Sequence, residues 1–183
     1  MREFVIFIII FIVVFAIALV IFNGRFVFAQ IKYSVLGPPP LNQVFPSSSD
    51  QDLSLTLVIP KIGVDAPIVL TSALDEGTIQ IELEKGVVRY PNSNVILGHS
   101  SAYPWYKGNY GSVFSLLNKL EKGDEFFIFS GNNKFTYTIL DKKIDLPKNL
   151  ELESDNDIIY LVSCWPISTA WKRIAVRAER LDK

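Results

Sequence analysis

The stretches Ile158-Ile159-Tyr160-Leu161-Val162-Ser163-Cys164 and Arg173-Ile174-Ala175-Val176-Arg177-Ala178-Glu179-Arg180-Leu181 carry the clearest strand patterns in the chain. The first is a continuous apolar run, which is typical of a strand covered on both faces. The second alternates Ile, Val and Ala with Arg and Glu, as a half-exposed strand does. Only about eight residues separate Cys164 from Arg173, so neighbouring strands would return Arg173 to the rim that carries Cys164.

Short strands are also predicted upstream, at Leu55–Ile59, Ala66–Leu70, Gly86–Tyr90, Val95–His99, Glu125–Ser130 and Lys134–Leu140. The last two are separated by Gly131-Asn132-Asn133, which favours a hairpin. Helical leucine spacing behind Ser112 predicts a helix at Val113–Leu120, and a short helical turn is predicted near Ser72–Glu76. Many short strands with few helices predict a mainly β fold, a barrel or a sandwich.

The N-terminus differs in composition from the rest. Phe4–Phe22 contains only Phe, Val, Ile, Ala and Leu, and a helix of that length would span roughly 28 Å, close to the apolar thickness of a bilayer. We therefore predict an N-terminal transmembrane helix and signal anchor at residues 1–24. A cleaved signal peptide is the competing interpretation, although its apolar region is usually shorter. The Pro-rich and Ser-rich residues 25–52 predict a stalk, and residues 53–183 a single domain.

Charge and cysteine content exclude several classes of protein. With 18 basic and 19 acidic residues, the formal net charge is −1, which gives no reason to expect nucleic-acid binding. One cysteine cannot form an intrachain disulfide, and one Cys with one His cannot complete a Cys/His zinc site. The acidic residues show no calcium-loop spacing. No cofactor and no metal are expected.

Three side chains lie where a predicted strand meets a loop. Cys164 can act as a nucleophile once it is a thiolate, and His99 can transfer protons near neutral pH. Arg173 keeps its charge and suits the stabilisation of an oxyanion, and Ser163 can add a hydroxyl hydrogen bond there. Each also has a structural interpretation, since Cys164 can fill a core, His99 can be a hydrogen-bonded residue and Arg173 can be solvated. Residue type and spacing leave both interpretations open.

These segments resemble the sortase family. The resemblance rests on Leu97-Gly98-His99-Ser100-Ser101, on Tyr160-Leu161-Val162-Ser163-Cys164 and on Lys172-Arg173-Ile174-Ala175-Val176-Arg177. Upstream, Ile59-Pro60-Lys61-Ile62-Gly63-Val64-Asp65-Ala66-Pro67-Ile68 and Gly86-Val87-Val88-Arg89-Tyr90-Pro91 are similar to the family's opening segments. The family's cysteine motif has threonines where this chain has Tyr160 and Ser163. The similar segments run in order from about Leu55 to Leu181.

The resemblance implies a closed, largely antiparallel sortase-type β-barrel outside the cytoplasm, attached to the membrane by the N-terminal helix. It implies that His99, Cys164 and Arg173 are catalytic, with Arg173 rather than Arg177 as the family's arginine. The implied reaction cleaves a sorting signal similar to Leu-Pro-x-Thr-Gly in secreted proteins, through a thioacyl-enzyme. The acceptor would be an amine from the cell envelope or a pilin. The loop Asp141–Asp157 is expected to influence which signal is bound.

Two other functions remain open from the sequence. In an anchored cysteine hydrolase the same site would pass the acyl group to water rather than to an amine. In a surface binding module Cys164 would be buried and unreactive. The sorting motif, the acceptor amine and the choice between protein anchoring and pilus assembly are not encoded in any pattern we found.

Overall fold

Eight strands form a closed barrel in the computed structural model, which describes residues 2–36, 55–101, 106, 108–153 and 155–182. The mainly β barrel predicted from the sequence is confirmed. The strands are β1 Leu55–Ile59, β2 Val64–Leu70, β3 Val87–Arg89, β4 Val95–Leu97, β5 Glu125–Ser130, β6 Asn133–Asp145, β7 Ile158–Trp165 and β8 Lys172–Arg180. Two α-helices are described, α1 Arg2–Leu36 and α2 Glu76–Glu82, with 3₁₀ turns at Pro60–Ile62, Leu117–Lys119 and Pro147–Asn149.

The order of strands around the barrel is β1-β2-β3-β4-β7-β8-β6-β5. The pairs β2–β3 and β4–β7 are parallel, and the other neighbouring pairs are antiparallel. Because β4 and β7 run in the same direction, their carboxyl ends lie at the same rim of the barrel. The antiparallel strand β8 begins at that rim.

Strand β7 is buried on both faces, which accounts for its unbroken apolar sequence. Ile159 and Leu161 belong to the core inside the barrel, together with buried residues of β4 and β8. The alternate residues of β7 face outward into a second apolar cluster, here called the outer cluster. It comprises Val95, Ile158, Tyr160, Val162 and Ala175, with the partly buried Tyr90, Leu97, Leu140, Leu150 and Leu152 packed against it.

The α-helix predicted at Val113–Leu120 is wrong. This segment forms consecutive turns that end in the 3₁₀ turn Leu117–Lys119. The Ser115 and Leu117 amides donate to carbonyl oxygens three residues back, whereas an α-helix bonds four residues back. Leu116 lies at φ −106°, ψ 13°, outside the helical region. The leucine spacing instead reflects burial of Leu116, Leu117 and Leu120 in the barrel core.

Two predicted boundaries also shift. The helix near Ser72–Glu76 is α2, which begins only at Glu76 because the Asp75 carboxylate accepts from the Thr78 amide over 2.8 Å and caps it. Strand β6 continues to Asp145 because it pairs with β8 as far as Arg173. The loop predicted at Asp141–Asp157 therefore comprises residues 146–157, here called the β6–β7 loop.

The N-terminal helix α1 contains the apolar run Phe4–Phe22 and extends beyond the predicted boundary at residue 24. Among the residues that the structure describes, no helix meets the length and hydropathy needed to cross a membrane. The structure therefore does not support the predicted transmembrane helix. The polyproline and serine runs of the predicted stalk lie outside the described residues.

Gly98 is expected to be intolerant of a side chain. A Cβ atom there would lie 2.4 Å from Cδ2 of Phe114, whose own side chain is buried and cannot retreat. We expect Gly98→Ala to lower the free energy of unfolding by about 1–3 kcal/mol, measured by denaturant unfolding. The matched control is Gly77→Ala on exposed α2, where the nearest atom is 3.5 Å away and a gain of about 0.4–1 kcal/mol is expected. Equal stability of the two variants would contradict this account.

Candidate active site

The register of three neighbouring strands aligns the three residues singled out in the sequence. In the parallel pair Leu97 lies opposite Val162, and the Gly98 amide continues this ladder by donating to the Val162 carbonyl over 3.1 Å. Beyond the last pair of the ladder, extending this register by two residues would bring His99 next to Cys164. In the antiparallel pair Cys164 lies directly opposite Arg173. Neighbouring strands lie about 4.8 Å apart. We call His99, Cys164 and Arg173 the rim row.

The rim row lies on the outer face of the barrel. Cys164 follows Val162 by two positions, and Arg173 precedes Ala175 by two positions, so each shares a face with a member of the outer cluster. His99 follows Leu97, which packs against the same cluster. Cys164 is a free, half-buried cysteine rather than a core residue. The interpretation of Cys164 as core filler is therefore wrong.

Ser163 points the other way, into the barrel. Its buried hydroxyl donates to the Gly98 carbonyl oxygen over 2.7 Å. This bond ties the residue before Cys164 to the residue before His99, and so fixes the two strand ends against each other. The hydroxyl is engaged on the inner face, so the suggestion that Ser163 adds a hydrogen bond to an oxyanion is wrong.

His99 is half-buried, and its ring packs against Tyr106. Its ring meets the Tyr106 ring edge-on, with centroids 5.4 Å apart and planes at 84°. The Tyr106 hydroxyl donates to the Leu83 carbonyl oxygen at the end of α2 over 2.8 Å. Burial lowers the pKa of His99, and the nearby Glu84 carboxylate opposes that shift. The imidazole is therefore mainly neutral at pH 7, able to accept a proton before it donates one.

The titration of His99 can be followed without ambiguity because it is the only histidine. We expect the imidazole C–H resonances in proton NMR to titrate below the ordinary value of 6.5. Glu84→Gln should lower the midpoint further by removing the charge that favours imidazolium, whereas Glu151→Gln on the exposed β6–β7 loop should not move it. Because the unfolded chain binds this proton more tightly, stability should fall as pH drops through 6.5. A midpoint at or above 6.5 would contradict the burial argument.

Arg173 keeps its guanidinium free of carboxylates among the described residues. Its Nη1 donates to the carbonyl oxygens of Ala170 and Lys172, each over 3.0 Å, which orients the group beside the β7–β8 connection. Asp145 lies opposite Arg173 on β6, but its carboxylate accepts from the Leu146 amide and the Asn149 side chain. The positive charge of Arg173 thus remains available to a developing anion.

Arg177 differs from Arg173 although both face outward on β8. Its guanidinium forms ion pairs with Asp141 at 2.7 Å and Glu153 at 3.2 Å. A guanidinium bound by two carboxylates is poorly placed to take up another anion. This difference favours Arg173 as the functional arginine, as the resemblance implied.

Two contributors to the site were not found from the sequence. Tyr106 reaches His99 from a connection with no strand or helix pattern, and the Ser163–Gly98 bond depends on strand pairing. The glycine at position 98, immediately before His99, could have indicated from the sequence that the backbone is closely packed there. Within the described ranges, no group of three or more His, Cys, Asp or Glu side chains is arranged to hold a metal ion.

The family model for the Sortase domain matches residues 57–181, which is more than half of the chain. The chain belongs to the sortase family. Sortases are cysteine transpeptidases.

This sortase is 32% identical over 131 residues to sortase D of Bacillus subtilis (strain 168), an alignment that covers 68% of this chain. It spans 62% of the length of that relative. Among solved structures it is similar to sortase C-1 from Actinomyces oris, with a TM-score of 0.58, 20% identity and coverage of 88% and 98% of the two chains. The pilus-related sortase C of Group B Streptococcus gives a TM-score of 0.57, 25% identity and coverage of 87% and 88%. These structures share the barrel fold.

Proposed function

We propose that this sortase is a cysteine transpeptidase with Cys164 as nucleophile, His99 as proton carrier and Arg173 as oxyanion-stabilising cation. The observation that supports the proposal is the pairing of Cys164 with Arg173, together with the bond from the Gly98 amide, just before His99, to Val162, just before Ser163. A thiol, an imidazole and a free guanidinium on one face are the groups that acyl transfer through a thioester requires.

The reaction begins with attack of the Cys164 sulfur on a peptide carbonyl carbon. Neutral His99 takes the thiol proton, and Arg173 stabilises the negative oxygen of the tetrahedral intermediate. The C–N bond then breaks, His99 gives its proton to the leaving amine, and the acyl group stays on sulfur as a thioester. An incoming amine loses a proton to His99 as it attacks this thioester, which forms a new amide and returns the thiol.

The proposed substrate is a sorting signal of a secreted protein, similar to Leu-Pro-x-Thr-Gly, and the proposed acceptor is an amine of the cell envelope or of a pilin. The apolar outer cluster beside the rim row supports a partly apolar peptide as substrate. Among the similar structures, one sortase C is described as pilus-related and another is described in terms of pilin substrate specificity. A pilin is therefore one acceptor to test.

We propose that the enzyme acts at the outer surface of a membrane. The support is the composition of Phe4–Phe22, which has no polar side chain, and the general membrane association of sortases at the cell surface. Recovery of the full chain in a membrane fraction, and its release after deletion of residues 1–24, is the expected result. Recovery of the full chain in the aqueous fraction would contradict attachment.

The function is tested by incubating the enzyme with a Leu-Pro-x-Thr-Gly peptide library, with and without an added amine such as a glycine oligomer or a pilin lysine peptide. Mass spectrometry should detect a new amide between the Thr carbonyl and the amine. Hydrolysed peptide alone, unchanged by the amine, would favour a hydrolase. No cleavage of any library member, together with a thiol that resists a small thiol-reactive probe, would favour a binding module.

A further inference from the structure

Asn94 makes an unusual set of contacts in the connection between β3 and β4. Its side-chain Nδ2 lies within hydrogen-bonding distance of three backbone carbonyl oxygens, those of Glu153 at 2.9 Å, Asp155 at 3.2 Å and Ile158 at 2.9 Å. An amide has two N–H donors, so one of them is shared. The backbone carbonyl oxygen of Asn94 accepts from the Tyr160 backbone amide over 2.9 Å. A single side chain thus binds the end of the β6–β7 loop to the barrel.

Two other groups converge on Glu153 in the same loop. The Glu153 backbone amide donates to the Tyr160 hydroxyl over 3.1 Å. The Glu153 carboxylate accepts from Arg177 Nη1 over 3.2 Å. Asn94, Tyr160 and Arg177 come from a turn, from β7 and from β8, so the loop is held from three separate elements. Glu153 itself is largely exposed, so burial of its side chain does not explain why it is fixed.

The loop so fixed lies beside the rim row. Leu150 and Leu152 pack against the outer cluster, which also contains Val162, two residues before Cys164. Leu97, two residues before His99, packs against the same cluster. The loop also begins next to the rim row, because Asp145, the residue before it, pairs with Arg173.

We propose that Asn94 is a positioning residue that holds the β6–β7 loop closed, so that the loop forms a wall of the peptide site before substrate arrives. This inference rests on the proposed function, because it assigns the wall to the peptide of that reaction. A loop that is already ordered loses less conformational entropy on binding than a free one. The hydrogen bonds of the Asn94 side chain to the loop, here called the clasp, therefore affect peptide affinity. They do not take part in the chemistry at the rim row.

The variant that tests the clasp is Asn94→Asp, which keeps the shape of the side chain but replaces the donating amide with a carboxylate that repels the three carbonyls. The matched control is Asn132→Asp, the same change in the exposed turn between β5 and β6. We expect Asn94→Asp to raise KM for the sorting peptide by about tenfold with kcat within about twofold, as removal of uniform binding does. Asn132→Asp should match the wild type in both.

Loop opening is measured separately by limited trypsin digestion, because Lys148 lies on the exposed part of the loop. Cleavage after Lys148 should be about tenfold faster in Asn94→Asp than in the wild type and in Asn132→Asp, since proteolysis follows the open population. This readout needs no substrate, so it tests the clasp even if the wild type shows no transpeptidation. Unchanged cleavage and KM in Asn94→Asp would overturn the inference, as would a fall in kcat at constant KM.

A milder variant guards against misfolding of Asn94→Asp. Glu153→Ala deletes only the carboxylate bonded to Arg177 and leaves the Asn94 hydrogen bonds in place. We expect a rise in KM and in Lys148 cleavage of about two- to threefold, because an exposed ion pair contributes little. If Asn94→Asp does not fold, Asn94→Ala, which removes the amide donors without adding a charge, takes its place, and wild-type KM and Lys148 cleavage in Asn94→Ala would overturn the inference.

Discussion

Replacing Cys164 with alanine is expected to reduce turnover of the sorting peptide on the order of 10⁴-fold or more, because the covalent route through a thioester is lost. The thiol is half-buried at the end of β7, so its removal leaves no sealed cavity and stability should change by less than about 1 kcal/mol. Steady-state kinetics and thermal unfolding of the same preparations measure the two effects.

The thioester itself provides a second measurement. Cys164 is the only cysteine, so intact-mass spectrometry of enzyme mixed with peptide should show one acyl adduct in the wild type and none in Cys164→Ala. A small thiol-reactive probe should label the folded wild type once. Turnover by the alanine variant at more than about one hundredth of the wild-type rate would exclude Cys164 as nucleophile.

Replacing Arg173 with alanine is expected to lower kcat by about 10²–10³-fold, the effect of losing one oxyanion donor. KM for the peptide should change little, because the guanidinium acts on charge that develops only in the transition state. Arg173→Lys should recover part of the loss, since a cation remains but its two carbonyl contacts do not. Single-turnover acylation rates give the clearest comparison.

Arg177→Ala is the matched control, since it removes the same side chain four residues along the same strand. Its guanidinium binds Asp141 and Glu153, so its loss should raise KM modestly through the β6–β7 loop and leave kcat unchanged. A larger fall in kcat in Arg177→Ala than in Arg173→Ala would reverse the assignment of the two arginines.

The barrel was predictable because its strands follow simple patterns. The unbroken apolar run of β7 predicts burial on both faces, and its residues do divide between the barrel core and the outer cluster. The helix at Val113–Leu120 could not be rejected from the sequence, because burial of Leu116, Leu117 and Leu120 in the barrel core gives the leucines the spacing of a helix. Leucine spacing reports which residues are buried, but here a chain of turns buries them.

The three residues of the rim row were predictable as strand-end positions, and the short connection predicted that Cys164 and Arg173 share a rim, whereas the position of His99 beside them did not follow from spacing. It depends on β4 lying parallel and next to β7, and these strands are far apart in sequence. The contacts of Asn94 were likewise hidden, because the residue stands in an ordinary turn cluster and its three partners belong to a distant loop. A polar side chain that bonds to a distant part of the backbone produces no periodic pattern in the sequence.

Strand β8 pairs with both β7 and β6, and this has a consequence for the order in which the enzyme acquires reactivity. A growing polypeptide that has reached Cys164 but not Arg173 has neither a closed sheet nor the cation opposite the sulfur. Pairing of the Cys164 sulfur with its facing cation therefore requires completion of the barrel, and it forms only once β8 has been synthesised and has paired with β7.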